Sequence, residues 1–225
     1  MKTEISVLDS GYVRLIEHFG SDTGLAEMAG ISYGKHDVKK TEEDVERILR
    51  HLYTSGHESI FEHIVMKFRV KLPIFVARQW FRHRIASYNE KSGRYTTFDN
   101  ECYFPSVFRK VTGTGGGFSR MEARRAQDIL DATYSYSYDA YQKLPRMGIA
   151  KEQARIVLPQ AMYTEFYWTV NGRSLLNFFR QRLDRHAQYE IRQYAAAVFS
   201  LFEECYPVLA SVLPDTLSRG VGVEE

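Results

Sequence analysis

Ile64, Met66, Phe68, Val70 and Leu72 alternate with Val65, Lys67, Arg69 and Lys71. Successive side chains of a β-strand point to opposite faces, so this run reads as a half-buried strand with one apolar and one basic face. Pro73 ends the run, and its fixed φ suits the first position of a helix. Such a strand needs a sheet that is covered on one side. Ile5-Ser6-Val7-Leu8, the turn Asp9-Ser10-Gly11 and Tyr12-Val13-Arg14-Leu15-Ile16 supply a strand, turn and strand. Thr164, Phe166, Trp168 and Val170 alternate as a further one.

Covering helices are equally legible. Leu25, Met28 and Ala29 mark a short helix over 22–32, and Thr41 with Asp44 opens a second, capped one that stops at Gly56. A third is expected over 73–84, where Gln79, Arg82 and His83 fall at i, i+3 and i+4 and would share one face. Residues 85–104 read as an irregular strand, loop and strand, with Glu90, Ser92 and Arg94 on the loop. Ser119 with Glu122 caps a long helix toward Leu144, in which Tyr134, Tyr136 and Tyr138 sit on different sides. That pattern fits either contact with another subunit or a crowded core. Pro145 and Gly148 break the chain, and a short helix follows over 151–158. Asn171-Gly172-Arg173-Ser174 turns into a helix that ends near Arg180 and Arg182, and 186–205 forms the last long helix. The expected fold is one α/β (α+β) domain over 1–225, a mixed or antiparallel sheet packed on long helices, with a C-terminal tail from about 208.

Composition excludes several classes. No apolar run approaches the roughly 18 residues that span a bilayer, and the opening Met1-Lys2-Thr3-Glu4 is neither signal nor transit segment, so a cytoplasmic protein with no membrane partner is expected. A net charge of +2 weighs against a nucleic-acid binder with a basic field over the whole domain. Cys102 and Cys205 are the only cysteines and lie far apart, which indicates neither a disulfide framework nor a zinc site. Thr112-Gly113-Thr114-Gly115-Gly116-Gly117 lacks the ending of a P-loop, and Phe118 stands where a dinucleotide fingerprint needs its third glycine, so the run reads as a mobile connection.

One stretch is not explained by folding. Between Arg78 and Arg94 there are four arginines, a histidine and a lysine against the single acid Glu90. Arginine forks match carboxylate or phosphate, and Ser92 and Gly93 add a hydroxyl and close backbone approach, which suits a phosphorylated ligand. A solvated basic face is the competing reading, and the adjacent Trp80 and Phe81 weigh against it. Arg155, Arg173 and Arg182 extend the set, and Asn171, Asn177, Gln79 and Glu90 can read amide and imide edges. Gathered in one site, these guanidiniums would repel one another unless anions occupied it. Together the parts suit a nucleotide plus a larger phosphate-bearing cofactor.

Two further readings stay open. His57-Glu58-Ser59-Ile60-Phe61-Glu62-His63 could ligate a divalent ion, although the spacing is not the i, i+4 pair of one helical turn and nearby arginines repel cations; no metal is expected, and His63 alone reads as a core histidine. No nucleophile stands out, because neither cysteine has a histidine nearby in sequence and Ser87 and Ser92 lack an evident base.

Arg82-His83-Arg84-x-x-Ser87-x-Asn89-Glu90-x-Ser92-x-Arg94-Tyr95 resembles the signature of the flavin-dependent thymidylate synthases. His57-Glu58-Ser59, Phe61-Glu62-His63, Ala154-Arg155-Ile156-Val157-Leu158-Pro159, Asn171-Gly172-Arg173-Ser174-Leu175 with Asn177, and His186-Ala187-Gln188 follow in the family's order. Glycine at 172, where alanine is frequent, is a departure expected to loosen that helix start. The resemblance implies a homotetramer with FAD at subunit junctions, dUMP as methyl acceptor, 5,10-methylenetetrahydrofolate as one-carbon donor and NADPH as reductant. It implies FAD contacts at Ser59, Arg82, His83, Arg84, Glu90, Asn171, Arg173 and Asn177, with His57 near the flavin. It implies that Gln79, Arg82, Glu90, Ser92, Gly93, Arg94 and Arg155 hold dUMP. Arg182 is the implied catalytic residue, set against the uracil imide, with no cysteine nucleophile. The alternative is a non-catalytic nucleotide- or RNA-binding module that uses the same arginines and tyrosines.

Overall fold

The computed structural model describes residues 3–32, 34, 39–110 and 117–214. Within them β1 (Glu4–Val7), β2 (Gly11–Phe19), β3 (Val65–Pro73), β4 (Ser87–Glu90) and β5 (Tyr163–Asn171) form one sheet in the order β1-β2-β3-β5-β4. Every pairing is antiparallel, which settles the choice left open by the sequence. The alternation read at 64–72 holds: Met66, Phe68, Val70 and Leu72 are buried, while Lys67, Arg69 and Lys71 lie on the other face. On that polar face Glu165 takes a bidentate fork from Arg69 at 2.7 and 3.0 Å, and Glu101 takes Lys71 at 2.7 Å.

The apolar face packs on α6 (Gly172–Arg182) and α7 (Tyr189–Cys205). Leu175, Leu176, Phe178 and Phe179 of α6 and Ile191, Tyr194, Val198 and Phe202 of α7 are all buried. Each contributes about 1.5–3 kcal/mol relative to an exposed side chain. α1 (Asp22–Ile31) and α2 (Glu42–Thr54) lie beside this core. The capping box expected at Thr41 and Asp44 is present, as is that of Ser119 and Glu122 ahead of α4 (Arg120–Arg146). Pro145 does not break α4 as expected; it lies inside the last turn, and the chain stops only at Met147. α5 (Lys151–Ala154) continues as a 3-10 turn over Arg155–Val157. The last long helix begins at Tyr189, not at 186, because Asp184 holds the His186 backbone N–H at 2.8 Å in a turn.

The tyrosines of α4 differ in their surroundings. Tyr134 and Tyr138 donate to the carbonyls of Tyr103 and Phe98, and the buried Tyr141 accepts from the Phe98 N–H at 3.2 Å. Tyr136 is 78% exposed. Past α7, the segment counted with the tail is structured: α8 (Pro207–Ser211) buries Leu209 and Ala210, and the buried carboxylate of Asp22 accepts the N–H groups of Val208 and Leu209 at 2.9 and 3.1 Å. Residues 215–225 lie outside the described residues, as does the glycine-rich connection except Gly117.

Gly172 sits where α6 enters against the 3-10 turn Glu58–His63. A methyl group there would stand 2.5 Å from both the Phe61 carbonyl oxygen and Ile64. The glycine therefore permits close packing and does not loosen the helix start. Gly172→Ala is expected to destabilise the chain by about 1–3 kcal/mol, as overpacked sites do, instead of giving the gain of about 1 kcal/mol that alanine brings at an open helix position. Urea unfolding midpoints check this.

Candidate active site

The helix expected over 73–84 is shorter. α3 runs Ile74–Trp80, with Pro73 as the last residue of β3, so Arg82 and His83 lie beyond the helix and do not share a helical face with Gln79. The C-terminal carbonyls of α3 are captured by side chains. Arg182 donates to the Gln79 carbonyl at 3.0 Å, and the Tyr88 hydroxyl donates to the His83 carbonyl at 2.7 Å and reaches that of Trp80 at 3.5 Å. With those acceptors engaged, the chain can leave the helix and return as β4 beside β5. Glu90 consequently ends β4 instead of lying on a loop, and the second strand expected before 104 is reduced to one bridge between Cys102 and Met162.

Arg182, in the last turn of α6, donates from Nε to His83 Nε2 at 2.9 Å. Guanidinium has no acceptor, so His83 Nε2 must be the unprotonated nitrogen and the neutral ring carries its proton on Nδ1. Burial first, and the Arg182 charge second, push the His83 pKa down to about 4. Burial and the neighbouring Arg82 also lower Arg182 from its ordinary value. The result is a half-buried guanidinium held by two acceptors, with N–H groups to spare.

Arg82, His83 and Arg84 line a cleft of about 510 Å³ together with Asn171, Arg173 and Asn177 from the start of α6. Asn171 is the N-cap, accepting from the Ser174 N–H at 2.9 Å, and Asn177 Oδ1 accepts from Gln181 at 3.2 Å. Both amides therefore keep their NH₂ groups for a ligand. Acids missing from the expected arginine set are present: Glu62 pairs with Arg173 at 2.7 Å, and Glu58 pairs with Arg180. Sequence reasoning placed those acids in a metal reading and left Arg180 without a role. Their distance from α6 in the chain concealed the pairing. Arg82 and Arg84 have no carboxylate partner among the described residues.

Beyond the same wall, His57 and Ser59 face a second cleft of about 1060 Å³ between α1, α2 and the 3-10 turn, which shares Glu58 and Arg173 with the first. Lys39, Lys40, Arg47 and His51 also line it; none was singled out from sequence, although Arg47 and His51 lie at i, i+4 on α2. His63 is exposed, not a core residue, because the alternation places Ile64 inward.

The remaining predicted residues form a separate group. Ser92, Gly93 and Arg94 follow β4, where a methyl group on buried Gly93 would stand 2.5 Å from Phe98 and 3.1 Å from Arg155 Cδ. Arg94 lies 3.7 Å from Glu152, and Glu90 accepts from Thr164 at 2.7 Å. Neither cleft includes these residues. Within one chain the expected site residues thus fall into two halves, the first lining the clefts and the second around Gly93 and Arg155.

Residues 14–208 match the family model described as thymidylate synthase complementing protein. A relative from Kosmotoga olearia, a flavin-dependent thymidylate synthase, is 48% identical over 91% of this chain and 90% of its own length. The chain belongs to the flavin-dependent thymidylate synthase family. A second member of that family, from Thermus thermophilus, is 42% identical over 96% of this chain and 80% of its own. The solved UMP/dUMP methylase PolB from Streptomyces cacaoi, bound with 5-Br dUMP, superposes with a TM-score of 0.85 at 30% identity, covering 92% of this chain and 96% of that one. The synthase signature Arg82 to Tyr95 therefore straddles both halves, its first part in the 510 Å³ cleft and its second beside Arg155.

The His83 geometry sets a pH dependence. Its folded pKa of about 4 lies below the ordinary 6.5. As pH falls below 6.5 the unfolded chain takes up the proton first, so stability present above 6.5 is lost progressively down to about 4. Urea midpoints of the wild type should fall relative to those of His83→Gln across that window and run parallel above it.

Proposed function

We propose that this chain makes dTMP from dUMP, with FAD as bound redox cofactor: dUMP, 5,10-methylenetetrahydrofolate, NADPH and a proton give dTMP, tetrahydrofolate and NADP⁺. The observation that carries the reading is Arg182, half-buried, held by neutral His83 and the Gln79 carbonyl, beside Arg82, which has no carboxylate partner among the described residues. A guanidinium so fixed can stabilise negative charge on a uracil ring as C5 becomes nucleophilic. The donor set of the 510 Å³ cleft suits a flavin nucleotide. Arg82 and Arg84 offer forks to a pyrophosphate, the N-terminus of the eleven-residue α6 favours anions, and the free NH₂ groups of Asn171 and Asn177 meet polar edges. When bound, the flavin supplies the redox chemistry that no side chain here offers. Ser59 and His57 would border it, with Glu90 reaching it from the other half. Ser92, Gly93, Arg94 and Arg155 would take the nucleotide phosphate, with Gln79 and Glu90 on the rest of dUMP.

We assign a homotetramer with active sites at subunit junctions, which would bring the two halves together from different copies. Helix α4 supports this. Of its 27 residues only Tyr141 is buried, and Met121, Ile129 and Tyr136 stand exposed on one side. The reaction needs no thiol, and burial pushes both Cys102 and Cys205 up to about 11, which leaves them protonated.

Tritium release from [5-³H]dUMP, with FAD, NADPH and methylenetetrahydrofolate supplied, tests the reading; no release above a protein-free control overturns it. In that assay Arg182→Ala should lose about 100-fold or more in turnover while keeping its flavin absorbance. Cys102→Ala combined with Cys205→Ala should keep most of its activity, checked alongside its melting temperature.

A further inference from the structure

The motif His186-Ala187-Gln188 lines neither cleft, yet Gln188 connects it to a buried acid. Glu190, in the first turn of α7, is 2% exposed. Its Oε1 accepts from Arg109 and from the Tyr103 hydroxyl at 3.2 Å, and its Oε2 accepts from Gln188 Nε2 at 2.7 Å. Gln188 Oε1 in turn accepts from Gln79 Nε2.

The chain of bonds has a direction. A carboxylate can only accept, so Gln188 must turn its NH₂ toward Glu190 and its carbonyl toward Gln79. Gln79 must then donate, which leaves its own carbonyl Oε1 as the end without a partner among the described residues. An isolated glutamine can rotate to offer either a donor or an acceptor; this one is held to an acceptor. Its backbone carbonyl is held as well, by Arg182. Burial raises the Glu190 carboxyl, but the Arg109 hydrogen bond, its own backbone and Gln188 outweigh that and hold it below its ordinary value, so the acid stays ionised.

We propose that Glu190, acting through Gln188, is a positioning residue that locks the Gln79 amide so that the nucleotide meets a fixed acceptor beside the Arg182 donors. This rests on the reading of the site as a dUMP site. Fixing the amide before binding removes the rotamer cost of ordering it on the ligand and rejects poses that need a donor there.

Titration calorimetry with dUMP on the flavin-loaded protein tests it, with melting temperature and flavin absorbance as controls. Gln188 is exposed, so Gln188→Leu should fold normally. It should raise the dUMP Kd, and the KM, about five- to tenfold, the size expected for one freed hydrogen-bonded amide, with kcat little changed. Tyr103→Phe removes a different hydrogen bond of the same carboxylate and should leave the Kd as it was. Wild-type binding matched by Gln188→Leu overturns the relay alone, and so does an equal rise in Tyr103→Phe, since that would mark a general shift of α7. A wild type that does not bind dUMP overturns the functional reading and this proposal with it.

Discussion

The structure depends on Trp80. Its indole is fully buried, with ring centroids 4.8 Å from Phe178, 5.0 Å from Trp168 and 5.6 Å from Phe166. It therefore ties the end of α3 at once to β5 and to α6. Two residues later the chain must emerge as Arg82-His83-Arg84, so the arginines are delivered from a fixed point, not from a mobile loop. Among the described residues the indole N–H of Trp80 finds no acceptor. Its close ring contacts offset the cost of that unsatisfied donor.

The charges around this anchor are sorted by task. Arg173 and Arg180 are neutralised within the chain by Glu62 and Glu58, and so shape a wall. Arg82 and Arg84 have no carboxylate partner among the described residues and line the 510 Å³ cleft, and Arg182 is desolvated but held by neutral acceptors. Lowering the His83 pKa is part of that arrangement, because an imidazolium could not accept from Arg182.

Much of this was legible in residue patterns. The alternation at 64–72, both capping boxes and the apolar faces of α6 and α7 are local signals, and local signals survive folding. Family membership was legible too, through the signature from Arg82 to Tyr95. What the sequence could not carry was partnership across distance. The end of α3 is set by Tyr88 and Arg182, residues 8 and 102 positions beyond Trp80, so helical spacing alone ran the helix on to 84. Glu58 meets Arg180 across 122 positions, and no local rule pairs them. Gly172 looked like a weak helix start because the Phe61 carbonyl pressed against it belongs to another element.

Tyr88 has a mechanical consequence. Its ring packs on Phe81 at 5.0 Å and Phe166 at 5.8 Å, and its hydroxyl grips the His83 carbonyl. It thereby clamps the strand that leads to Ser92 and Arg94 onto the turn that holds Arg82 to Arg84. The span between the two halves is thus a fixed length within the chain, like a tie rod. One half could turn about the other, but a change in their separation would have to break the Tyr88 clamp.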